Sequence, residues 1–145
     1  IVESARKRGL VAIGTDIVNR KLSGGADPLD FRMYADSNFN GCIVTNPPFK
    51  HADEFVRIAL RTAAIKCAFL LPTTWINGDK RSRWLETLPL SKVWILTPRP
   101  SMPPGEIILA GGKPGGGKVD FAWYVFTKGH VGAPSIGWLR RDKCP

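Results

Sequence analysis

Asn46-Pro47-Pro48-Phe49 carries the residue types best suited to specific chemistry in this chain of 145 residues. The tetrapeptide follows the apolar run Cys42-Ile43-Val44-Thr45, which reads as a short buried strand. Neither proline can donate to a sheet ladder, and each fixes its own φ at about −65°. The residue before each proline is pushed into an extended conformation. A stiff, non-helical bracket results, holding the Asn46 side chain, the Pro47 carbonyl and the Phe49 ring in fixed relation. An amide oxygen and a backbone carbonyl can accept the two protons of an –NH2 group. An aromatic ring can stack on the flat system that bears it. The implied chemistry is the gripping of a planar amine. The plain alternative is a proline-terminated strand followed by a helix from Lys50 or His51.

In open α/β sheets, ligands sit beyond the carboxyl ends of the strands. Two carboxylates are candidates for such places. Asp16 follows the apolar run 10–15 (LVAIGT), and Asp30 precedes Phe31 at the close of a weaker segment. Each also has a structural explanation, as a helix N-cap for Asp16 and as a simple turn for Asp-Pro-Leu-Asp-Phe. Phe31 either covers a flat ligand or fills the core. Trp75, in Pro72-Thr73-Thr74-Trp75, lines a pocket or anchors the helix after it. His51 and His130 lie in no Ser or Cys pattern that suggests a catalytic triad.

The elements that must position these residues read in a regular rhythm. Residues 1–8 have helical composition, and Gly9 suits the position just past a helix end. The run 10–15 reads as a buried parallel strand. Asn19–Asp27 is a polar loop, Asp30-Phe31 closes a weak edge-like strand, and Asn38–Gly41 makes a turn into the strand Cys42–Thr45. From His51 to Ala64, Phe55, Val56, Ala59, Leu60 and Ala63 recur at helical spacing. Cys67–Leu71 is a buried strand stopped by Pro72, Asp79–Leu88 a helix stopped by Pro89, and Lys92–Thr97 another strand. Pro98–Lys118 is rich in proline and glycine and reads as a long loop. Val119–Thr127 is an aromatic strand, with Trp123, Tyr124 and Phe126 in the core. The tail after Gly129 reads as loop. Such alternation predicts a single α/β domain over 1–145, its sheet mostly parallel. The last two strands have no helix between them and are expected to pair antiparallel.

The chain has 21 Lys and Arg against 12 Asp and Glu, a formal charge of +9. Clusters at Arg6-Lys7-Arg8, Lys80-Arg81-Arg83 and Arg140-Arg141-Lys143 favour a polyanionic partner, and each also suits a solvated face. No run of about 18 apolar residues exists, so no membrane span or membrane partner is expected. Cys42, Cys67 and Cys144 are odd in number and lack metal-ligand spacing, which suits reduced thiols in a cytoplasmic protein better than zinc or disulfides.

With the strand in front of it, Asn46-Pro47-Pro48-Phe49 resembles the catalytic motif of class I S-adenosylmethionine-dependent amino-methyltransferases, especially the DNA adenine-N6 type. The resemblance implies a Rossmann-like sheet and S-adenosylmethionine as cofactor. It implies Asp16 on the cofactor ribose, Asp30 on the cofactor adenine with Phe31 against the ring, and Asn46 touching both cofactor and substrate. The partner implied is DNA, or RNA, and a small stand-alone enzyme of this kind suits a phage or prophage. The family's Gly-rich cofactor turn belongs between a strand and the helix 1–8, where the sequence has none. The expectation is an N-terminally incomplete catalytic domain whose missing strand lies between those ending at Asp16 and Asn46. Alone, the 145 residues are then expected to bind the cofactor poorly and to leave apolar strand edges uncovered.

Two other readings stand beside this one. Release-factor glutamine-N5 and some rRNA guanine methyltransferases also use Asn-Pro-Pro-aromatic, though Tyr is the usual fourth residue in the glutamine enzymes, where this chain has Phe49. A non-catalytic, basic nucleic-acid-binding fragment accounts for the charge and for the absent glycine turn.

Overall fold

The computed structural model describes residues 1–18, 28–34, 39–62, 65–101, 111 and 117–141. The α-helices are α1 (Val2–Arg6), α2 (Ala52–Arg61) and α3 (Asp79–Glu86). The strands are β1 (Cys42–Thr45), β2 (Lys66–Pro72), β3 (Leu90–Thr97), β4 (Phe121–Thr127) and β5 (Ser135–Arg140). Among the described residues these strands form one mixed sheet in the order β1-β2-β4-β3-β5. The chain is α/β, and it divides into two compact units, Ile1–Cys67 and Ala68–Pro145.

In the first unit, α1 ends as expected at a glycine in the left-handed region, Gly9, with φ 75°. The run 10–15 departs from expectation, because it forms no strand. Leu10, Val11 and Ile13 are exposed, Val11 at 99%. Apolar, β-branched composition makes a strand only where a neighbour supplies the ladder, and among the described residues none pairs with this run. Polar contacts hold it, the Leu10 N–H donating to the Ala5 carbonyl at 3.1 Å and the Arg6 guanidinium donating twice to the Ala12 carbonyl at 3.0 and 2.8 Å. The weak segment at Asp30-Phe31 is likewise no strand. Phe31–Tyr34 is a 3-10 turn. The polar loop 19–27 lies outside the described residues.

Helix α2 follows the expected periodicity, with Ala52, Val56, Ile58 and Ala59 buried. Asp53 and Glu54 occupy its first turn, where carboxylates suit the helix dipole. At its end Thr62 is buried, and its hydroxyl donates to the Ile58 carbonyl at 2.8 Å. The buried Cys67 thiol points at the Ala59 carbonyl at 3.7 Å, and burial pushes its pKa up to about 11.

The second unit is built on β4. Ala122, Tyr124 and Phe126 are buried on one of its faces, while Trp123, Val125 and Thr127 on the other are half-buried beside a buried Phe121. Phe126 meets Phe69 edge-on with centroids 5.9 Å apart, and Tyr124 meets Trp75 likewise at 5.0 Å. Strand β3 pairs antiparallel with β4, as the helix-free connection implied. The tail departs from expectation. Read as loop, it forms β5, which pairs parallel to β3 from Lys92↔Ser135 to Thr97↔Arg140. Gly137 opposes Trp94 in that ladder, and a Cβ there would stand 2.5 Å from the indole ring. Arg99 and Asp120 tie the ends of the long connection together, with Nε to Oδ1 at 2.6 Å and Nη2 to Oδ2 at 3.1 Å.

Two outcomes are expected. Gly137→Ala crowds the Trp94 ring and should cost about 1–3 kcal/mol in urea unfolding. The loss should shrink when Trp94→Leu is added. Burial pushes the Tyr124 hydroxyl up to about 12. A raised tyrosine pKa stabilises the fold below the ordinary range, and the contribution disappears as pH rises toward the folded value. Ultraviolet titration should therefore show one tyrosine ionising late, together with loss of far-UV dichroism.

Candidate active site

The carboxyl end of β1 delivers the bracket. Pro47 is buried, whereas Asn46, Pro48 and Phe49 are exposed, so the chain is pinned at one proline while its chemistry faces outward. Pro48 has φ −57° and ψ 123°, the extended geometry that a proline pair imposes. Its carbonyl accepts the His51 N–H at 2.8 Å and so starts the 3-10 turn Phe49–His51 that leads into α2. The Asn46 side chain makes no hydrogen bond among the described residues. An amide held at a strand end with open acceptor and donor positions suits recognition of a polar, planar group. Phe49 is 49% exposed and can offer part of its ring. His51 Nδ1 lies 3.5 Å from Glu54 Oε2, a pairing across one helical turn.

The two carboxylates are engaged elsewhere. Asp16 is half-buried, its Oδ1 accepts the Val18 N–H at 3.1 Å, and its carbonyl accepts the Leu29 N–H at 2.8 Å. That is turn-stabilising work, with no helix beginning at Asp16 among the described residues. Asp30 is spanned by Arg32. Nε lies 3.0 Å from each carboxylate oxygen, and Nη2 lies 2.5 Å from Oδ2. The Arg32 side-chain hydrogen bonds, joined by the Arg32 backbone N–H, hold the Asp30 carboxyl below the usual range. Phe31 stacks on Phe55 of α2, with centroids 5.0 Å apart and planes inclined by 27°. That contact engages one half-buried ring against another.

Trp75 is also a packing residue. It is buried against Tyr124, and Arg81 sits over its ring at 5.5 Å while donating to its carbonyl at 2.7 Å. Sequence reasoning left out Arg32, although its place two residues after Asp30 in a turn is a readable sign of a local ion pair. Among the described residues no group of His, Cys, Asp or Glu is arranged to hold a metal ion. No described helix is long and apolar enough to cross a membrane. No protein-family model matches the sequence, and no curated protein matches it.

The Asp30–Arg32 pair has a measurable consequence. A carboxyl lowered in the folded state stabilises the fold above its unfolded pKa, and that contribution is lost as pH falls through the folded value. Carbon-detected titration should find the Asp30 midpoint below that of ordinary exposed aspartates in the wild type. In Arg32→Gln the midpoint should rise into the ordinary range. An unmoved midpoint would mean that Arg32 does not hold the carboxylate in solution.

Proposed function

We propose that the chain transfers a methyl group from S-adenosylmethionine to an exocyclic amino group, with adenine N6 in DNA as the preferred acceptor. The observation that carries this is the bracket at the end of β1, with Asn46 exposed and without a hydrogen-bond partner among the described residues. A formal charge of +9 favours a polyanionic substrate over a protein. The acceptor base must leave the duplex before its amino group can be reached.

The chain's own residues would act on that amino group as follows. Asn46 Oδ1 and the Pro47 carbonyl accept hydrogen bonds from its two N–H groups, fixing the nitrogen and drawing electron density toward it. The one proton released on methylation passes to water. Phe49 stacks on the base and sets the plane in which the nitrogen lone pair is presented. No general base is needed beforehand, because the amine becomes acidic only once alkylated. Positioning then supplies most of the acceleration. The methyl donor supplies an electrophilic sulfonium carbon. As arranged, the residues assigned to hold it do not fit a nucleoside, since Asp30 is spanned by Arg32 and Phe31 is stacked on Phe55. The choice of donor therefore rests on the family resemblance, and no step is derived through it.

The same mismatch favours a second reading, a basic nucleic-acid-binding chain without catalysis. The two separate cleanly. Incubation with tritiated S-adenosylmethionine and unmethylated DNA, RNA or protein substrate should label adenine in DNA. Asn46→Ala should lower incorporation by roughly 10²–10³ while leaving the unfolding midpoint unchanged, because Asn46 is exposed and unbonded. A fully active Asn46→Ala protein would sink the assignment. DNA binding by a wild type that labels nothing would establish the second reading instead.

A further inference from the structure

The carboxyl ends of the parallel pair β3 and β5 form a surface within the second unit. Arg140 ends β5 and Arg141 follows it, both exposed and neither side chain making an ion pair or hydrogen bond among the described residues. With Thr97 and Pro98 they line an open depression. Thr97 and Arg140 are register partners at the last rung of the ladder, so the depression lies beyond two parallel strand ends. Ligands of parallel sheets are found at such ends. Strand β5 is last in the sheet order, so its outer edge has no strand neighbour among the described residues. Side chains alternate along a strand, which puts Ile136, Trp138 and Arg140 on one face. Trp138 is 61% exposed and Ile136 64% exposed.

An indole open to solvent, about 7 Å along a strand from an unneutralised guanidinium, has a specific use. Bases stack on aromatic faces while arginines take the neighbouring phosphates, largely without regard to sequence. We propose that β5 and the depression at its end bind a single-stranded segment of nucleic acid, with a base on Trp138 and phosphates on Arg140 and Arg141. Charge complementarity commits the occupant to a polyanion. The exposed ring favours one with flat bases over an acidic peptide. This rests on the nucleic-acid half of the proposed function and not on methyl transfer.

The test is fluorescence anisotropy with a labelled oligothymidylate of about 20 nucleotides, which exceeds the site size of typical single-strand modules. An abasic strand of the same length is the comparison, and each titration is run at several salt concentrations. The wild type should prefer the base-bearing strand. Trp138→Leu keeps an apolar side chain but removes the π-face, and it should weaken binding about 5- to 100-fold and abolish that preference. Trp138→Phe should restore much of it. Arg140→Gln and Arg141→Gln should each reduce the slope of log affinity against log salt by about 0.7. Wild-type affinity in Trp138→Leu, or an unchanged slope in the double arginine variant, would overturn the proposal. A wild type that binds DNA but labels nothing removes the methyltransferase reading and leaves this surface standing. A labelling enzyme whose Trp138→Leu variant binds normally does the reverse.

Discussion

Burying one face of β4, through Ala122, Tyr124 and Phe126, is the constraint on which the second unit depends. The packed face of an interior strand must carry large apolar side chains and leave no polar atom without a partner. Phe126 and Tyr124 fill that space, and the Tyr124 hydroxyl donates to the Pro72 carbonyl at 3.3 Å, where β2 ends. With β4 between β2 and β3, β3 can meet a further strand only on its other side. That place is taken by β5, and the close passage of its backbone over Trp94 explains why residue 137 is glycine. The parallel strand ends at Thr97 and Arg140 follow from this arrangement.

Elements whose burial comes from their own periodicity were legible in the sequence. Helix α2 and strands β2 to β4 appear near the expected positions, because their apolar patterns answer to a core that exists. Strand β1 forms where expected but is exposed or half-buried along its length, not the buried strand its composition implied. Residues 10–15 show the limit of such reasoning. A β-branched run reports a capacity to pair, and Val11 stands in solvent because no described strand pairs with it. Strand β5 shows the opposite failure. The tail after Gly129 read as loop, although Ile136 and Trp138 lie at strand spacing. Its residues are mostly exposed, so no buried pattern drew attention to it.

The candidate site divides in the same way. The stiffness of Asn46-Pro47-Pro48-Phe49 follows from covalent constraints on the chain, so its extended backbone was predictable from four residues. The roles expected of Asp30 and Phe31 depended instead on what surrounds them. A carboxylate takes the nearest good cationic partner, and Arg32 is two residues away on the same turn. A phenyl ring takes the nearest apolar face, and Phe55 supplies one on α2. Sequence spacing can put a residue at the right end of a strand. It does not keep that residue unoccupied.

Net charge is subject to the same distinction. An excess of cations says little until one asks which guanidiniums are already used inside the protein. Arg6 holds the Ala12 carbonyl, Arg32 holds Asp30, Arg81 holds the Trp75 carbonyl, Arg83 pairs with Asp79, and Arg99 pairs with Asp120. A guanidinium so engaged must break its bonds before it can release counterions from a phosphate backbone, so its contribution to polyanion affinity is discounted. Arg140 and Arg141 carry no such discount, because their guanidiniums make no ion pair or hydrogen bond among the described residues. They also stand beside an exposed indole. The electrostatic footprint of the second unit is therefore better located by its uncommitted arginines than by counting its charges.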